Sequence, residues 1–308
     1  MAISPQVVAI QAYQAANQAA IDQLMQQCWP DDPDTIGYYR IGSQSELTLC
    51  AWQQEQLVGI GSLWNNRFHP KHCYVGIHIH PAYQQANIDQ LLYAQLIAQT
   101  SIIQGRKLQT ATWSHAQSTL NFLHAQGFQM IKNTYLGEFS LVVLEIPQLE
   151  LEQELTIASF ETYLSSNQPE SLLNLITSCY QASHSYNPAS QDTLAAQTAF
   201  LSDIHQAASF VVYAAAQLVG FNCIYHSTAA QTLEQGLIGV DDDYSDQQAA
   251  IIRALLQKTV QFAQHNGYQS LRYEIDSIDP WASELLTFLP IITKPCWQTL
   301  CLSHNPEL

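Results

Sequence analysis

Two histidines lie two positions apart in the segment 74–80, which reads Tyr-Val-Gly-Ile-His-Ile-His. Residues at i and i+2 of a strand project from one face, so this spacing predicts that the imidazoles of His78 and His80 lie side by side. A neutral imidazole accepts a proton near neutral pH, which makes both residues candidate catalytic bases. The alternative interpretation is a pair of partly exposed strand histidines without a chemical role.

Metal binding is the other chemistry that these histidines suggest. His69 and His72 precede the pair, and a His-x-His spacing suits zinc. Because no cysteine or carboxylate completes the ligand set, we predict no metal site. The seven cysteines form no C-x-x-C pair, and most of them lie in apolar runs that are typical of reduced core residues.

Two further segments carry polar groups at predicted strand ends. Asp241, Asp242 and Asp243 could bind an amine, or they could form a solvated acidic turn. The segment Trp113-Ser114-His115 could face a substrate, or it could serve packing alone. An adjacent Ser-His pair is not the arrangement of a nucleophile and its base, so no catalytic triad is predicted.

The net charge of −16, with only 10 Lys and Arg, argues against a nucleic-acid partner, because phosphate binding needs clustered cations. The same acidity would attract a cationic amine. No run approaches the roughly 20 apolar residues that a membrane span needs. The sequence therefore predicts a cytoplasmic protein with no membrane partner.

The sequence also repeats itself. Residues 56–61 (Gln-Leu-Val-Gly-Ile-Gly) recur at 217–222 (Gln-Leu-Val-Gly-Phe-Asn), and residues 75–78 (Val-Gly-Ile-His) recur at 238–241 (Ile-Gly-Val-Asp). The offsets, 217 − 56 = 161 and 238 − 75 = 163, are domain-sized. We expect two copies of one fold, residues 1–147 and 153–308, joined near Pro147 to Gln153 as a pseudo-dimer within one chain.

Each copy reads as strand, two helices, three strands, helix, strand, helix and strand. Leu47 to Gln53 and Gln56 to Trp64 are expected to form a hairpin, as are Phe210 to Ala215 and Leu218 to His226 in the second copy. The segment Pro30 to Pro33 is expected to end the first helix, and a helix of the second copy is expected from Thr193 to Ala207. The strand Tyr74 to His80 precedes a long amphipathic helix, Ile88 to Gln104, whose counterpart in the second copy is Gln248 to His265. This order predicts a mixed central sheet flanked by helices, an α/β architecture of the α+β type.

The element order resembles the GNAT family of acyl-CoA N-acyltransferases. The family motif, a strand ending in V-x-P-x-Y before a Q/R-x-x-G-x-G/A loop, is similar to Ile79-His80-Pro81-Ala82-Tyr83 followed by Gln84 to Asp89. The segment from Asn121 to Phe128 is similar to the family's f-Y-e-k-x-G-F segment. In the second copy the resemblance rests on the hairpin, Gln247 and the long helix. The chain thus looks like a tandem GNAT protein.

This resemblance implies acetyl-CoA as co-substrate, with its pyrophosphate on the loop that opens the long helix. Unpaired N–H groups and the positive end of the helix dipole suit such an anion. The donors implied are the backbone N–H groups from Gln85 to Asp89. The binding residues implied are Ile79, Gln84, Gln85, Ala86, Asn87, Ile88 and Asp89.

The loop glycines of the family are replaced in both copies. Asn87 and Asp89 stand at these positions in the first copy, and Ala250 and Ile252 stand there in the second. Asparagine tolerates a left-handed backbone, whereas Asp89 brings negative charge toward a phosphate. Ile252 is expected to obstruct close approach by its bulk.

The function implied is acyl transfer from acetyl-CoA to a small amine in the first copy, with the strand from His78 to His80 polarising the thioester carbonyl. The tyrosine that often serves the family as general acid is replaced by Leu123. Two alternatives stay open. One is a degenerate, non-catalytic binding or interaction module, and the other is catalysis by the second copy.

Overall fold

The computed structural model describes residues 8–30, 32–84, 86–142, 144–146, 154–167, 169–190, 203–215 and 217–302. The chain forms two compact units. The first unit contains Met1–Ile131 and Gln298–Leu308, and the second contains Lys132–Trp297. The boundary predicted at Pro147 to Gln153 lies outside the described residues.

The first unit follows the predicted order of elements. Its strands are β1 (Val8–Ala12), β2 (Leu47–Gln53), β3 (Gln56–Asn65), β4 (His72–Ile79) and β5 (Lys107–Trp113), with β12 (Trp297–Leu302) added from the end of the chain. Its helices are α1 (Gln18–Cys28), α2 (Pro33–Tyr38), α3 (Ile88–Ile97), α4 (Thr100–Ile103) and α5 (Gln117–Ala125).

The sheet of the first unit has the order β1-β2-β3-β4-β5-β12. β2 and β3 form the predicted antiparallel hairpin, and Gln54 turns it with a left-handed backbone, φ 55°. β4 and β5 are parallel, because α3 crosses over between them. This unit is therefore a mixed sheet with helices on both faces.

Glycines on β3 allow α3 to lie close to the sheet. A Cβ at Gly59 would meet Ile88 at 3.0 Å, and a Cβ at Gly61 would meet Leu96 at 2.8 Å. Leu92 and Leu96 are fully buried in this contact. Truncation of such a leucine to alanine costs roughly 2–5 kcal/mol, so this packing fixes where α3 begins.

The second unit repeats the pattern. Its strands are β6 (Phe128–Ser140, which enters this unit at Lys132), β7 (Leu155–Ser159), β8 (Phe210–Ala214), β9 (Gln217–His226), β10 (Thr232–Val240) and β11 (Ser270–Asp276). Its helices are α6 (Phe160–Leu164), α7 (Glu170–Ser183) and α8 (Gln248–His265).

The sheet of the second unit has the order β6-β11-β10-β9-β8-β7. Its core joins α7 and α8 to the sheet, and Phe160, Phe221, Leu255 and Leu256 are fully buried there. β10 and β11 are parallel, as β4 and β5 are in the first unit. The predicted mixed α/β architecture is confirmed.

One predicted helix is broken in the structure, and another lies largely outside the described residues. The helix expected from Ile88 to Gln104 is broken at Gln99, whose ψ of 61° is not helical. β-branched Thr100, Ile102 and Ile103 follow the break, and such residues favour helix weakly. The helix expected from Thr193 to Ala207 falls largely outside the described residues.

Among the helices of the described residues, none has the length and apolar character needed to cross a membrane.

Gly239 on β10 provides a test of the packing in the second unit. A Cβ there would meet Cys179 Sγ at 2.6 Å and the Phe221 ring at 2.8 Å, and both neighbours are buried. We expect Gly239→Ala to lower the free energy of unfolding by about 1–3 kcal/mol, measured by urea denaturation. Gly37→Ala on α2 is the control, because its Cβ would meet nothing within 4 Å. Equal stability of the two variants would contradict this packing.

Candidate active site

The two parallel strands at the centre of the first unit's sheet separate before they end. β4 and β5 pair at His72↔Lys107, Cys73↔Leu108 and Tyr74↔Gln109, and no further pair follows within the described parts of both strands. β4 nevertheless continues to Ile79 and β5 to Trp113. A gap therefore opens between their carboxyl ends, which is where open α/β sheets bind ligands.

This gap forms a cleft within the first unit. Its walls come from β4, β5, α3 and α5, and most of them are apolar. The lining residues are Tyr39, Val75, Ile77, Ile79, Gln84, Asp89, Tyr93, Thr110, Ala111, Ser118, Thr119, Phe122 and Leu123. The cleft encloses about 40 Å³, and its mainly apolar walls with a few hydroxyl groups are typical of a ligand pocket.

The amino end of α3 lies at the mouth of the cleft. Asn87 precedes the helix with φ 55° and ψ 25°, the left-handed conformation that glycine adopts most easily. Of the first N–H groups of α3, those of Ile88 and Asp89 have no partner within the helix, and such groups can bind an anion. Asp89 lies in this first turn, and its carboxylate accepts the Gln90 N–H at 2.8 Å. The turn thus has the backbone conformation of an anion-binding site, but the Asp89 carboxylate there repels an anion.

The structure distributes the predicted binding residues unevenly. Ile79, Gln84 and Asp89 line the cleft. The N–H of Ala86 donates to the carbonyl oxygen of Tyr83 at 3.0 Å, so this group is engaged in the turn. Ile88 packs into the core at 1% exposure, which leaves only its backbone to a ligand. Gln85 lies outside the described residues.

His78 is buried on the other face of β4, the face that α1 and α2 cover. Its Nδ1 accepts the Trp29 indole N–H at 3.4 Å, and its ring lies edge-on to Tyr39 with the centroids 4.2 Å apart. Burial lowers the pKa of His78 from its usual value near 6.5 to about 3, so the imidazole is neutral at physiological pH.

The neutral tautomer of His78 follows from that hydrogen bond. Because Nδ1 accepts, Nε2 carries the proton, and Nε2 has no partner among the described residues. His78 is not part of the cleft lining. As the structure stands, the ring therefore presents a buried N–H group and has no free lone pair.

His80 lies at the end of β4 and begins the next turn. Its Nδ1 accepts the Ala82 N–H at 3.1 Å, and its ring stands edge-on to Tyr83 with the centroids 5.4 Å apart. In the neutral ring Nε2 then carries the proton, so action as a base requires release of this turn.

A network of hydrogen bonds around Tyr39 and Asp32, which the sequence did not predict, lies on the side of the gap opposite α3. The Tyr39 hydroxyl reaches into the gap and donates to the carbonyl oxygen of Ala111 at 2.7 Å. Asp32, at the start of α2, accepts the Trp113 indole N–H at 2.7 Å and the Thr35 N–H at 3.1 Å. The Pro-Asp-Asp-Pro segment at 30–33 was the available signal, although it predicted only the end of a helix.

Leu123 lines the cleft at the position where the family that this chain resembles often has a tyrosine. Tyr93 on α3 lines the same cleft and lies edge-on to Phe122, with the ring centroids 5.8 Å apart. The apolar periodicity of α3 marked Tyr93 only as a core residue.

The paired strands of the second unit repeat those of the first at an offset of 161. β3 and β4 pair Gly59 with Ile79, and β9 and β10 pair Gly220 with Val240. Here 220 − 59 = 161 and 240 − 79 = 161. Asp241 is therefore the counterpart of His80. The offset of 163 in the sequence comparison had wrongly paired Asp241 with His78.

The position of His78 holds a glycine in the second unit. Gly239 lies 161 residues after His78, and Cys179 and Phe221 fill the space beside it. The expectation that Ile252 obstructs the second loop was wrong, because Ile252 is fully buried in the core. Asp241 instead accepts the Asp243 N–H at 3.0 Å and begins the following turn, as His80 does.

The histidines near β4 do not converge on one point. His72 is buried, and its Nδ1 lies 2.7 Å from the Gln109 amide oxygen. Among the described residues, no group of three or more His, Cys, Asp or Glu side chains could hold a metal ion.

Comparison with known proteins identifies the family that this geometry resembles. Residues 14–128 match the model of the acetyltransferase (GNAT) family. The matched residues include β2 to β5, α3 and α5. No curated protein matches the chain in sequence.

Solved structures share the fold of the whole chain. A GCN5-related N-acetyltransferase from Sphaerobacter thermophilus has 12% identity and a TM-score of 0.63 over 96% of this chain and 95% of its own. A tandem GNAT protein from the clavulanic acid biosynthesis pathway has 12% identity and a TM-score of 0.58 over 98% and 100%. A glucosamine N-acetyltransferase region of a fungal GH3 β-N-acetylglucosaminidase has 10% identity and a TM-score of 0.64 over 97% of this chain and 38% of its own. Identities this low establish the fold alone.

The burial of His78 has a measurable consequence for acid stability. The unfolded ring binds a proton below about pH 6.5, whereas the folded ring does so only near pH 3. His78 therefore lowers folding stability as the pH falls from 6.5 toward 3. We expect the stability of His78→Gln to fall less between pH 7 and pH 4 than that of the wild type, measured by urea denaturation at each pH. Parallel slopes for the variant and the wild type would refute this burial.

Proposed function

Because the first unit carries a domain of the acetyltransferase (GNAT) family, we propose that this chain transfers an acyl group from acetyl-CoA to a small amine in the cleft of that unit. Family and fold support acyl transfer in general. The acetyl-CoA, the amine acceptor and the choice of the first unit are the parts proposed here.

The single observation that carries the proposal is the separation of β4 and β5 beside the amino end of α3. An acyl-CoA has an apolar pantetheine arm and an anionic pyrophosphate. The cleft offers apolar walls to the arm, and the first turn of α3 offers N–H groups to the phosphates. The left-handed Asn87 gives the loop the backbone shape for which a glycine is usually needed.

The chemistry requires two proton movements. The amine nitrogen attacks the thioester carbon and loses a proton. The C–S bond breaks, its electron pair stays on sulfur, and the sulfur then gains a proton. We propose His80 as the base rather than His78. Neither histidine is among the residues that line the cleft, but His80 directly follows Ile79, which does line it, and must give up only the hydrogen bond to Ala82. His78 lies buried under Trp29 and Tyr39 with a strongly lowered pKa.

The first unit is the better candidate of the two. It keeps both histidines, whereas the second unit has Gly239 and Asp241 at the corresponding positions. Cys179 fills the space beside Gly239, so no imidazole could enter there without a change in packing.

The acceptor proposed is a small, cationic amine. Asp89 lines the cleft, and Asp32 lies beside Trp113 at the end of β5. These carboxylates, together with the chain's net charge of −16, would attract an ammonium group. The fungal neighbour named for glucosamine N-acetylation is consistent with an amine on a small molecule.

A non-catalytic binding module is the second candidate function. Asp89 in the first turn of α3 and Leu123 in the cleft favour it, because the first weakens phosphate binding and the second removes a familiar proton donor. Binding with no transfer to any amine would support this alternative.

Calorimetric titration with acetyl-CoA tests the proposed site through Asp89. We expect Asp89→Asn to bind acetyl-CoA about two- to fivefold more tightly, because a negative charge at a helix amino end facing a phosphate is removed. Asp246→Asn is the control in the second unit, since Asp246 lies in the short 3-10 turn that immediately precedes α8.

The control separates the two units. Tighter binding by Asp89→Asn alone supports the first unit, and tighter binding by Asp246→Asn alone moves the site to the second. No binding by the wild type at millimolar acetyl-CoA overturns the proposed function.

A further inference from the structure

Acyl transfer in this cleft leaves a thiolate that needs a proton, and Leu123 cannot supply one. This inference rests on the proposed function and concerns the same site. The lining offers three aliphatic hydroxyl groups, on Thr110, Ser118 and Thr119, and two phenols, on Tyr39 and Tyr93. A phenol, with a pKa near 10, is a far stronger acid than an aliphatic alcohol. The choice is therefore between the two tyrosines.

Tyr39 is already engaged. Its hydroxyl donates to the carbonyl oxygen of Ala111 at 2.7 Å, and Ala111 lies on β5 beyond its last pair with β4. If this proton were withdrawn, a buried carbonyl group would lose its partner. Tyr39 therefore serves the wall of the cleft.

Tyr93 has a fixed ring and a free hydroxyl. Its ring stands edge-on to Phe122, with the centroids 5.8 Å apart, and to Phe128 at 6.2 Å. The residue is 6% exposed and lines the cleft beside Leu123. No hydrogen bond among the described residues engages its hydroxyl.

Burial also keeps this group protonated. It raises the pKa of Tyr93 to about 12, so the phenol holds its proton throughout the physiological range. A neutral donor in a dry cleft is suited to meet a charge that develops only as the reaction proceeds.

We propose that the Tyr93 hydroxyl is the proton donor to the leaving sulfur, supplied from α3 in place of the side chain that Leu123 lacks. As the C–N bond forms and the C–S bond breaks, the electron pair of the C–S bond passes to sulfur. The sulfur takes the Tyr93 proton and leaves as the thiol. The tyrosinate is reprotonated by the proton released from the amine, either directly or through solvent, so no other reactant is needed.

The test uses Tyr93→Phe, which keeps the ring and removes one oxygen. Transfer from acetyl-CoA to a set of primary amines, including an alkyl diamine and an amino sugar, is followed by release of free thiol. We expect kcat to fall about 100-fold, with KM for acetyl-CoA nearly unchanged. Tyr163→Phe is the matched control, because Tyr163 is a buried tyrosine of the second unit.

A binding measurement separates proton donation from a packing role. Free CoA is titrated by calorimetry at pH 7 and at pH 9.5, where its thiol is largely ionised. The Tyr93 hydroxyl should donate to the thiolate, so we expect Tyr93→Phe to lose about tenfold in affinity for CoA at pH 9.5. Its affinity for acetyl-CoA, which has no thiolate, should stay within twofold of the wild type.

Each outcome decides a different question. If the wild type neither binds acetyl-CoA nor releases thiol, both the proposed function and this inference fall. If the wild type is active and Tyr93→Phe matches Tyr163→Phe in kcat and in CoA affinity at pH 9.5, only the role of Tyr93 falls. Equal loss of affinity for CoA and acetyl-CoA would assign Tyr93 to packing and also overturn the inference.

Discussion

The cleft depends on two parallel strands that stop pairing halfway along their length. Where the described strands β4 and β5 face each other, their backbone groups beyond Tyr74 and Gln109 have no ladder partner on the opposite strand, and buried polar groups of this kind need other partners. Side chains supply some of them. Tyr39 donates to the carbonyl oxygen of Ala111, and the Cys28 thiol lies 3.5 Å from the carbonyl oxygen of Ile79. The gap is thus held open by hydrogen bonds from α1 and from the end of α2.

The second unit keeps this scaffold and changes the chemistry inside it. Cys179 on α7 lies 3.8 Å from the carbonyl oxygen of Val240, as Cys28 does from that of Ile79. Both thiols have a pKa raised by burial, so both act as weak donors in their reduced form. Gly239 replaces His78, and the freed volume is filled by packing. The repeat therefore preserves the contact between a thiol and the end of the strand, and it loses the buried histidine.

The sequence predicted the frame of the molecule well, because hydrophobic periodicity and turn residues dictate it. The helix Gln248–His265 and the hairpin of β2 and β3 are present in the structure, whereas β4 ends at Ile79 and leaves His80 in the following turn. The 163-residue offset failed because a shift of two preserves the alternation of a strand, so periodicity alone cannot detect it.

The site was harder to predict, since its key properties depend on distant residues. The burial of His78 comes from Trp29 and Tyr39, which lie about 40 to 50 positions away in the chain. Tyr93 in an apolar helix has the pattern of a core residue, and only the open cleft beside it distinguishes it. Asn87 was the exception, because its left-handed backbone follows from local chemistry.

The membership of β12 in the first unit has a consequence for biosynthesis. β5, which forms one wall of the cleft, pairs with Trp297–Leu302, and these residues leave the ribosome after all the described residues of the second unit. Until then β5 remains an unprotected sheet edge, the kind of surface on which nascent chains aggregate. The first unit is therefore completed last, although most of it is translated first.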